Sequence, residues 1–198
     1  MQLNILVLPG DGIGTEVTRE AVRVLQRVAG KYNHTLHLTE GLLGGIAIHQ
    51  TGQPMPEETA RLAQEADATL LGAVGLPEFD NAPPAQRPER GLLGIRKVLG
   101  VYANLRPVRT YKALIDSSPL KNERVAGTDM IIVRELTGGI YYGTPRGIEG
   151  SGESERAVNT MAYTRAEIAR IGRMAFHLAR NRRKKLASVD KSNVLETS

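Results

Sequence analysis

Three arginines, one tyrosine and one lysine carry the chemistry this sequence is equipped to do. Arg96 stands in GLLGIRK, Arg106 in ANLRP and Arg134 in IVREL, each on a separate segment. Arg106 and Arg134 fall at the ends of apolar runs that read as strands, and strand ends of an α/β sheet deliver side chains to a ligand crevice. A planar guanidinium pairs with a carboxylate through two parallel N–H···O bonds, so converging arginines suit a di- or tricarboxylate substrate. Taken singly, each also fits an ordinary salt-bridge arginine. Tyr141 follows Arg134 in a glycine-flanked turn, where a phenol beside a cation can protonate a developing enolate. Lys191, in SVDKSNV, can supply such a cation or act as a base. A packed hairpin aromatic and a solvent-facing lysine are the plain alternatives. His34, His37, His49 and His177 show no metal-ligand spacing and read as structural or exposed.

Gly10, Gly12 and Gly14 lie between an apolar run and an amphipathic segment, where backbone N–H groups can cradle a phosphate. Glu40, after the second predicted strand, stands where a ribose-binding carboxylate would be sought. The spacing argues otherwise. A dinucleotide fingerprint runs G-x-G-x-x-G, whereas Thr15 follows Gly14 here and the run is G-x-G-x-G. A tight turn that needs positive φ accounts for the glycines equally well.

The elements that must position these residues follow from periodicity. LNILVL (3–8) reads as a buried strand, and Val17, Ala21, Val24, Leu25 and Val28 then recur at helical spacing. HTLHLTE alternates as a second strand. Pro56 opens a helix through PEETARLAQEA, and ATLLGAVG is a third buried strand. This alternation predicts an α/β fold with a largely parallel sheet. LPEFDNAPPAQRP (76–88) reads as a loop, GLLGIRKVLG as a short helix, VYANLRPV as a strand and DMIIVRE as another buried strand. LTGGIYYGTPRG suits a hairpin or extended arm. Thr164 with Glu167 forms a capping box that starts a helix with Ile168, Ile171, Ala175, Leu178 and Ala179 on its apolar face. LASV reads as one more strand, and 192–198 reads as a helix opening with nothing to close it, so the chain looks interrupted.

Composition narrows the function classes. The 198 residues are 41% hydrophobic and 24% charged, which is globular composition. The absence of cysteine removes disulfides, thiol nucleophiles and cysteine zinc sites. No apolar run approaches the roughly 20 residues of a membrane span. The start, MQLNILVLPG, has no basic n-region, so a soluble cytoplasmic protein is expected. The net charge of +5 is concentrated between Arg165 and Lys191, which hold nine basic residues against two acidic ones. A helix C-terminus favours such cations, and no aromatics interleave to stack bases, so no nucleic-acid partner is expected.

With these residues in place, the chain resembles the first part of the isocitrate/isopropylmalate family of β-decarboxylating dehydrogenases. The strings LPGDGIG, LLGAVG, GLLGIRKVLGVYANLRPV, VRELTGGIYYGTPRG and SVDKSNVLE carry the likeness from end to end, in matching order and spacing. The family binds NAD without the usual fingerprint, which fits the failed spacing above. The resemblance implies a two-domain fold of which this chain holds the first portion of each. Residues 1–101 would begin a cofactor-side domain, and 102–198 a dimerisation and substrate domain with an arm near 136–163.

It further implies NAD-dependent oxidative decarboxylation of 3-isopropylmalate in leucine biosynthesis, by a homodimer using Mg2+ or Mn2+. Arg96, Arg106 and Arg134 would hold the dicarboxylate, Tyr141 would protonate the enolate, and Lys191 would reach the substrate hydroxyl from a partner subunit. Glu89, Leu92 and Leu93 would line the pocket for the branched alkyl group, since apolar burial favours it. Ile13, the loop from Gly75 and Leu76 to Glu89, and Asn193 would contact the cofactor. The metal carboxylates are expected outside this chain, and the chain by itself is expected to be inactive. The alternatives are a non-catalytic remnant and a tartrate- or malate-type relative. Two departures stand out. Thr15 replaces a proline, and LPEF (76–79) puts Glu78 where a lysine is common, which is expected to weaken cofactor binding.

Overall fold

A computed structural model describes residues 1–197, and the chain divides into two compact units, Met1–Gly100 and Val101–Ser198. The first is an α/β unit. Strand β1 (Gln2–Gly10) is the centre of a three-stranded sheet, flanked by β2 (Thr35–Glu40) and β3 (Ala68–Ala73) in the order β2-β1-β3. Both pairings are parallel, with Ile5 opposite Leu38 and Gly10 opposite Ala73. Helix α1 (Ile13–Lys31) joins β1 to β2; α2 (Gly45–Thr51) and α3 (Glu57–Glu65) join β2 to β3. A loop containing two short 3-10 turns then leads to α4 (Glu89–Leu99), which ends on Gly100 in the left-handed region. The sheet is parallel because each strand is followed by a crossover with a helix, as the alternation of patterns requires.

Leu6, Leu8, Leu43, Ala63 and Ile95 form the core, with Met55, Leu62, Leu71, Val74, Leu92 and Leu99 packed around them. Burying each large aliphatic side chain stabilises the unit by about 1.5–3 kcal/mol. Helix α1 corrects the expected helix face. Val17, Val24 and Val28 are exposed, and the buried residues are Gly14, Thr18 and Ala29. The reason is close approach: a Cβ on Gly14 would stand 2.7 Å from the Ala73 amide nitrogen, so small residues face the sheet and the valines turn outward. The α2 segment is a helix that the pattern did not announce.

The second unit is built from antiparallel pairs. β4 (Ala103–Arg109) pairs with β5 (Asp129–Glu135), a short α5 (Asn122–Val125) lies between them, and β6 (Arg146–Glu149) pairs with β7 (Arg156–Asn159) as a hairpin. Helix α6 (Arg165–Arg180) follows a full capping box, with Thr164 and Glu167 exchanging hydrogen bonds. Three expectations need correcting here. Ile168 is exposed, because Glu167 and Arg170 occupy the inward positions where they meet the end of β5. β5 is not fully buried: Met130 and Ile132 are each 47% exposed on one face. The segment LASV forms no strand, since a strand needs a ladder partner and none of the described strands lies beside it. Val194 and Leu195 close one helical turn on the Lys191 carbonyl, and Ser198 lies outside the described residues.

Candidate active site

In the first unit, the candidate residues gather at the C-terminal ends of parallel strands β1 and β3, where ligands of open α/β sheets bind. The Asp11 amide donates to the Ala73 carbonyl at 2.7 Å, so the two turns leave the sheet side by side. Ile13 is 60% exposed at the start of α1. Gly75 has φ +127°, a conformation that side chains rarely adopt. Glu89 Oε1 lies 3.5 Å from where a Cβ on Gly75 would stand, so Glu89 and the Gly75 turn share one rim. Leu76 turns inward instead, against Gly45. Glu89, Leu92, Leu93 and Arg96 recur at i, i+3, i+4 and i+7 on α4 and therefore line one helix face. Leu92 also packs on the core, while Leu93 is half-buried. The Gly75 turn and the exposed Ile13 at the start of α1 are compatible with a dinucleotide as far as this unit extends.

In the second unit, the β4–β5 register decides which side chains meet. Asn104 stands opposite Arg134 and Arg106 opposite Ile132, so Asn104, Arg106 and Arg134 project from the same face of the ribbon. Arg106 Nε donates to Asn104 Oδ1 at 2.6 Å. Arg134 Nη2 donates to the Tyr141 hydroxyl oxygen at 2.9 Å, and its guanidinium sits 5.4 Å from the centre of the Tyr141 ring. Because the phenol oxygen accepts that bond, its own O–H remains a donor for a ligand on this face.

Glu135 is the residue that brings Tyr141 back to Arg134. Its Oε2 accepts the Thr137 amide at 2.5 Å and the Gly138 amide at 2.8 Å, and its Oε1 accepts the Thr137 hydroxyl at 3.0 Å and Arg170 Nη2 at 2.5 Å. The chain thereby turns immediately after β5. Burial alone would push the Glu135 carboxyl up, but the Gly138 amide, the Arg170 guanidinium and the Thr137 groups outweigh it and hold the carboxyl below its usual range. Arg170 also donates to the Thr137 hydroxyl and lies over the Tyr102 ring at 4.8 Å. Arg146 donates to the Tyr141 and Ile140 carbonyls at 2.7 and 3.0 Å, which fixes the other side of the turn.

Neither Glu135, Arg146 nor Asn104 was marked by sequence reasoning, nor was Asp11 in the first unit. The available signals were a glutamate just before Thr-Gly-Gly and an aspartate between two glycines, acceptors placed where turn amides need them. Lys191 and Asn193 are exposed in the segment after α6, and neither forms a hydrogen bond with Arg134 or Tyr141. The Asp190 carboxyl accepts the Ser192 amide at 3.0 Å, and its pKa is lowered by hydrogen bonds from that residue. Among the described residues, no three His, Cys, Asp or Glu side chains converge as a metal-ligand set. None of the described helices is long and apolar enough to cross a membrane.

The sequence of the isocitrate/isopropylmalate dehydrogenase family matches residues 4–198. A 3-isopropylmalate dehydrogenase of Aquifex aeolicus is 58% identical over 194 residues, covering 98% of this chain and 53% of that protein. One from Bacillus caldotenax is 58% identical with the same coverage. Among solved structures, a β-decarboxylating dehydrogenase of Thermococcus kodakarensis superposes with a TM-score of 0.67 at 32% identity, over 98% of this chain and 50% of that one. An isocitrate dehydrogenase of Methylococcus capsulatus gives 0.79 at 25% identity, over 98% of this chain and 53% of that one. The chain thus spans about half the length of the relatives it matches. A family match that runs through the Asp11 turn, the α4 face and the Arg134–Tyr141 pair alike makes this chain a member of the isocitrate/isopropylmalate dehydrogenase family.

Proposed function

We propose that the protein carries out NAD-dependent oxidative decarboxylation of 3-isopropylmalate, as part of a homodimer. The observation that carries this reading is the single ribbon face holding Arg106, Arg134 and Tyr141. Two guanidinium groups there bind carboxylate, and they do so at a place where a phenol is oriented by one of them. NAD, when bound, would supply the hydride acceptor for the carbon bearing the hydroxyl, and Lys191, contributed by the partner subunit on the family likeness, would take the hydroxyl proton. The β-carboxylate of the resulting keto acid leaves as CO₂, and Tyr141 gives its proton to the enolate carbon that remains. Arg134 holds the phenol oxygen throughout and spreads the negative charge left on it.

Leu92 and Leu93 enter the proposal on the family likeness, as apolar contacts for a branched alkyl group, which would favour 3-isopropylmalate over substrates with a further carboxylate. Arg96, Lys191 and Asn193 enter this proposal on the family likeness, Lys191 as a contribution from the partner subunit. Gly75 and Glu89 are assigned to the dinucleotide on their shared rim, and Ile13 on the family likeness and its exposure at the start of α1. Mg2+ or Mn2+ is the family's expectation, and the described residues supply no ligand set for it.

The test is NADH formation by the full-length native polypeptide with 3-isopropylmalate, isocitrate, malate and tartrate in turn, with and without Mg2+ or Mn2+. The highest kcat/KM is expected with 3-isopropylmalate. Tyr141→Phe should lower kcat by about 10²–10⁴-fold while dicarboxylate binding persists. A preference for malate or tartrate would move the assignment to that branch of the family. No NADH from any substrate would favour a non-catalytic remnant, and the 198-residue chain alone is expected to give that result.

A further inference from the structure

The turn after β3 is fastened to helix α2 from two sides. On the inside, Asp11 is 3% exposed, and its carboxylate collects three backbone donors, two from the start of α2 and one from the turn after β3. Oδ2 accepts the Gly45 and Gly75 amides, each at 2.8 Å, and Oδ1 accepts the Ile46 amide at 2.8 Å. Gly44 and Gly45 pack closely around it. A Cβ on Gly44 would stand 2.5 Å from Asp11 Oδ2, and one on Gly45 would stand 2.8 Å from Leu76 Cδ1 and 3.0 Å from Phe79 Cε2. On the outside, His49 Nε2 meets Glu78 Oε1 at 2.8 Å, and the His49 and Phe79 ring centres are 5.4 Å apart. The acidic residue at position 78 is thus engaged by a histidine of α2.

We propose that Asp11, assisted by the His49–Glu78 pair, is a positioning residue for the dinucleotide: it latches the Gly75–Phe79 turn onto α2. The proposal rests on the assignment of the Gly75 rim to NAD. Its physical basis is preorganisation, since a loop already ordered in the free protein loses less freedom on binding. The three charge-assisted bonds to a buried carboxylate make Asp11 the stronger fastening. The exposed His49–Glu78 pair is the weaker one, and its further effect is to hold the Glu78 charge toward α2.

The experiment compares Asp11→Asn and His49→Gln with the wild-type full-length polypeptide by amide hydrogen exchange and by direct NADH titration. D11N should speed exchange at Gly45, Ile46 and 75–79 at least tenfold and weaken NADH binding about tenfold. H49Q, at an exposed position, should speed exchange at 76–79 and weaken NADH severalfold, with the KM for the dicarboxylate unchanged. That split separates positioning from general destabilisation, which would move both constants. Should D11N fail to fold, H49Q decides. Unchanged exchange in the folded variants overturns the latch, and faster exchange with unchanged NADH affinity overturns its role in the dinucleotide site. If the wild type binds no NADH, the cofactor assignment has failed and the proposal with it, while the exchange data still show whether the fastening exists.

Discussion

The two units solve the same problem with different means. Each must turn the chain sharply at a strand end and hold the turn, and each does so with a carboxylate that gathers backbone amides: Asp11 in the first unit, Glu135 in the second. Around Asp11 lies a packed aliphatic core under a parallel sheet. Around Glu135 lie a two-stranded ribbon and one helix, and Leu136 is the single buried apolar side chain found there among the described residues. In the first unit, the turn is therefore held by packing and by hydrogen bonds together. In the second it depends on polar contacts, above all the Glu135–Arg170 pair. A site can be organised without a large core, but its order then follows the charge state of a few groups.

Core truncation should break the contrast most visibly. Leu8→Ala, at a fully buried position, is expected to cost about 2–5 kcal/mol. Ile132→Ala, on the half-open face of β5, should cost well under that, and urea titration of both variants gives the comparison. Equal losses would mean that the β5 face is covered in solution. Removing the Glu135 charge comes next. Glu135→Gln should destabilise the protein by about 1–3 kcal/mol at neutral pH, since Arg170 loses its 2.5 Å carboxylate partner and keeps only the longer 4.0 Å ion pair with Glu167. It should also loosen the Tyr141 turn.

The pH dependence sharpens this point. The folded-state carboxyl of Glu135 lies below its ordinary value, so the unfolded chain binds the proton more readily. The stabilisation is fully present above about pH 4.3, the unfolded value, and is lost as the pH falls through the lower folded value. The difference in Tm between wild type and E135Q should therefore shrink on acidification, and a constant difference from pH 7 to 3 would refute the charge-based account. The smallest effect is expected at Arg61. It bridges Glu58 and Glu65 on the exposed face of α3, and Arg61→Ala should leave the urea midpoint close to that of the wild type in the same titration.

What was legible in the sequence was what local physics dictates. Alternation at Leu36 and Leu38, the apolar run of β1, Pro56 before α3 and the Thr164–Glu167 capping box each specify their element from nearest neighbours alone. Errors arose where a partner elsewhere in the chain decides. The apolar valines of α1 suggested the wrong face because close approach to β3 selects Gly14 and Thr18. LASV has the composition of a strand, but composition supplies no ladder partner. Site residues divided the same way. Arg106, Arg134 and Tyr141 are proposed from residue type and position, because binding a carboxylate and giving a proton call for such side chains.

That Arg106 and Arg134 share a face is a matter of β4–β5 register, and that Tyr141 returns to Arg134 is the work of Glu135, Arg146 and a turn. Asp11 shows the point most plainly. From the sequence it is one polar residue in a glycine turn; in the fold it receives amides from residues 34, 35 and 64 positions away. Residue types alone set which chemical groups this protein can present. Which of them meet was decided only by the tertiary structure, because hydrogen-bond geometry depends on distances that chain separation does not set.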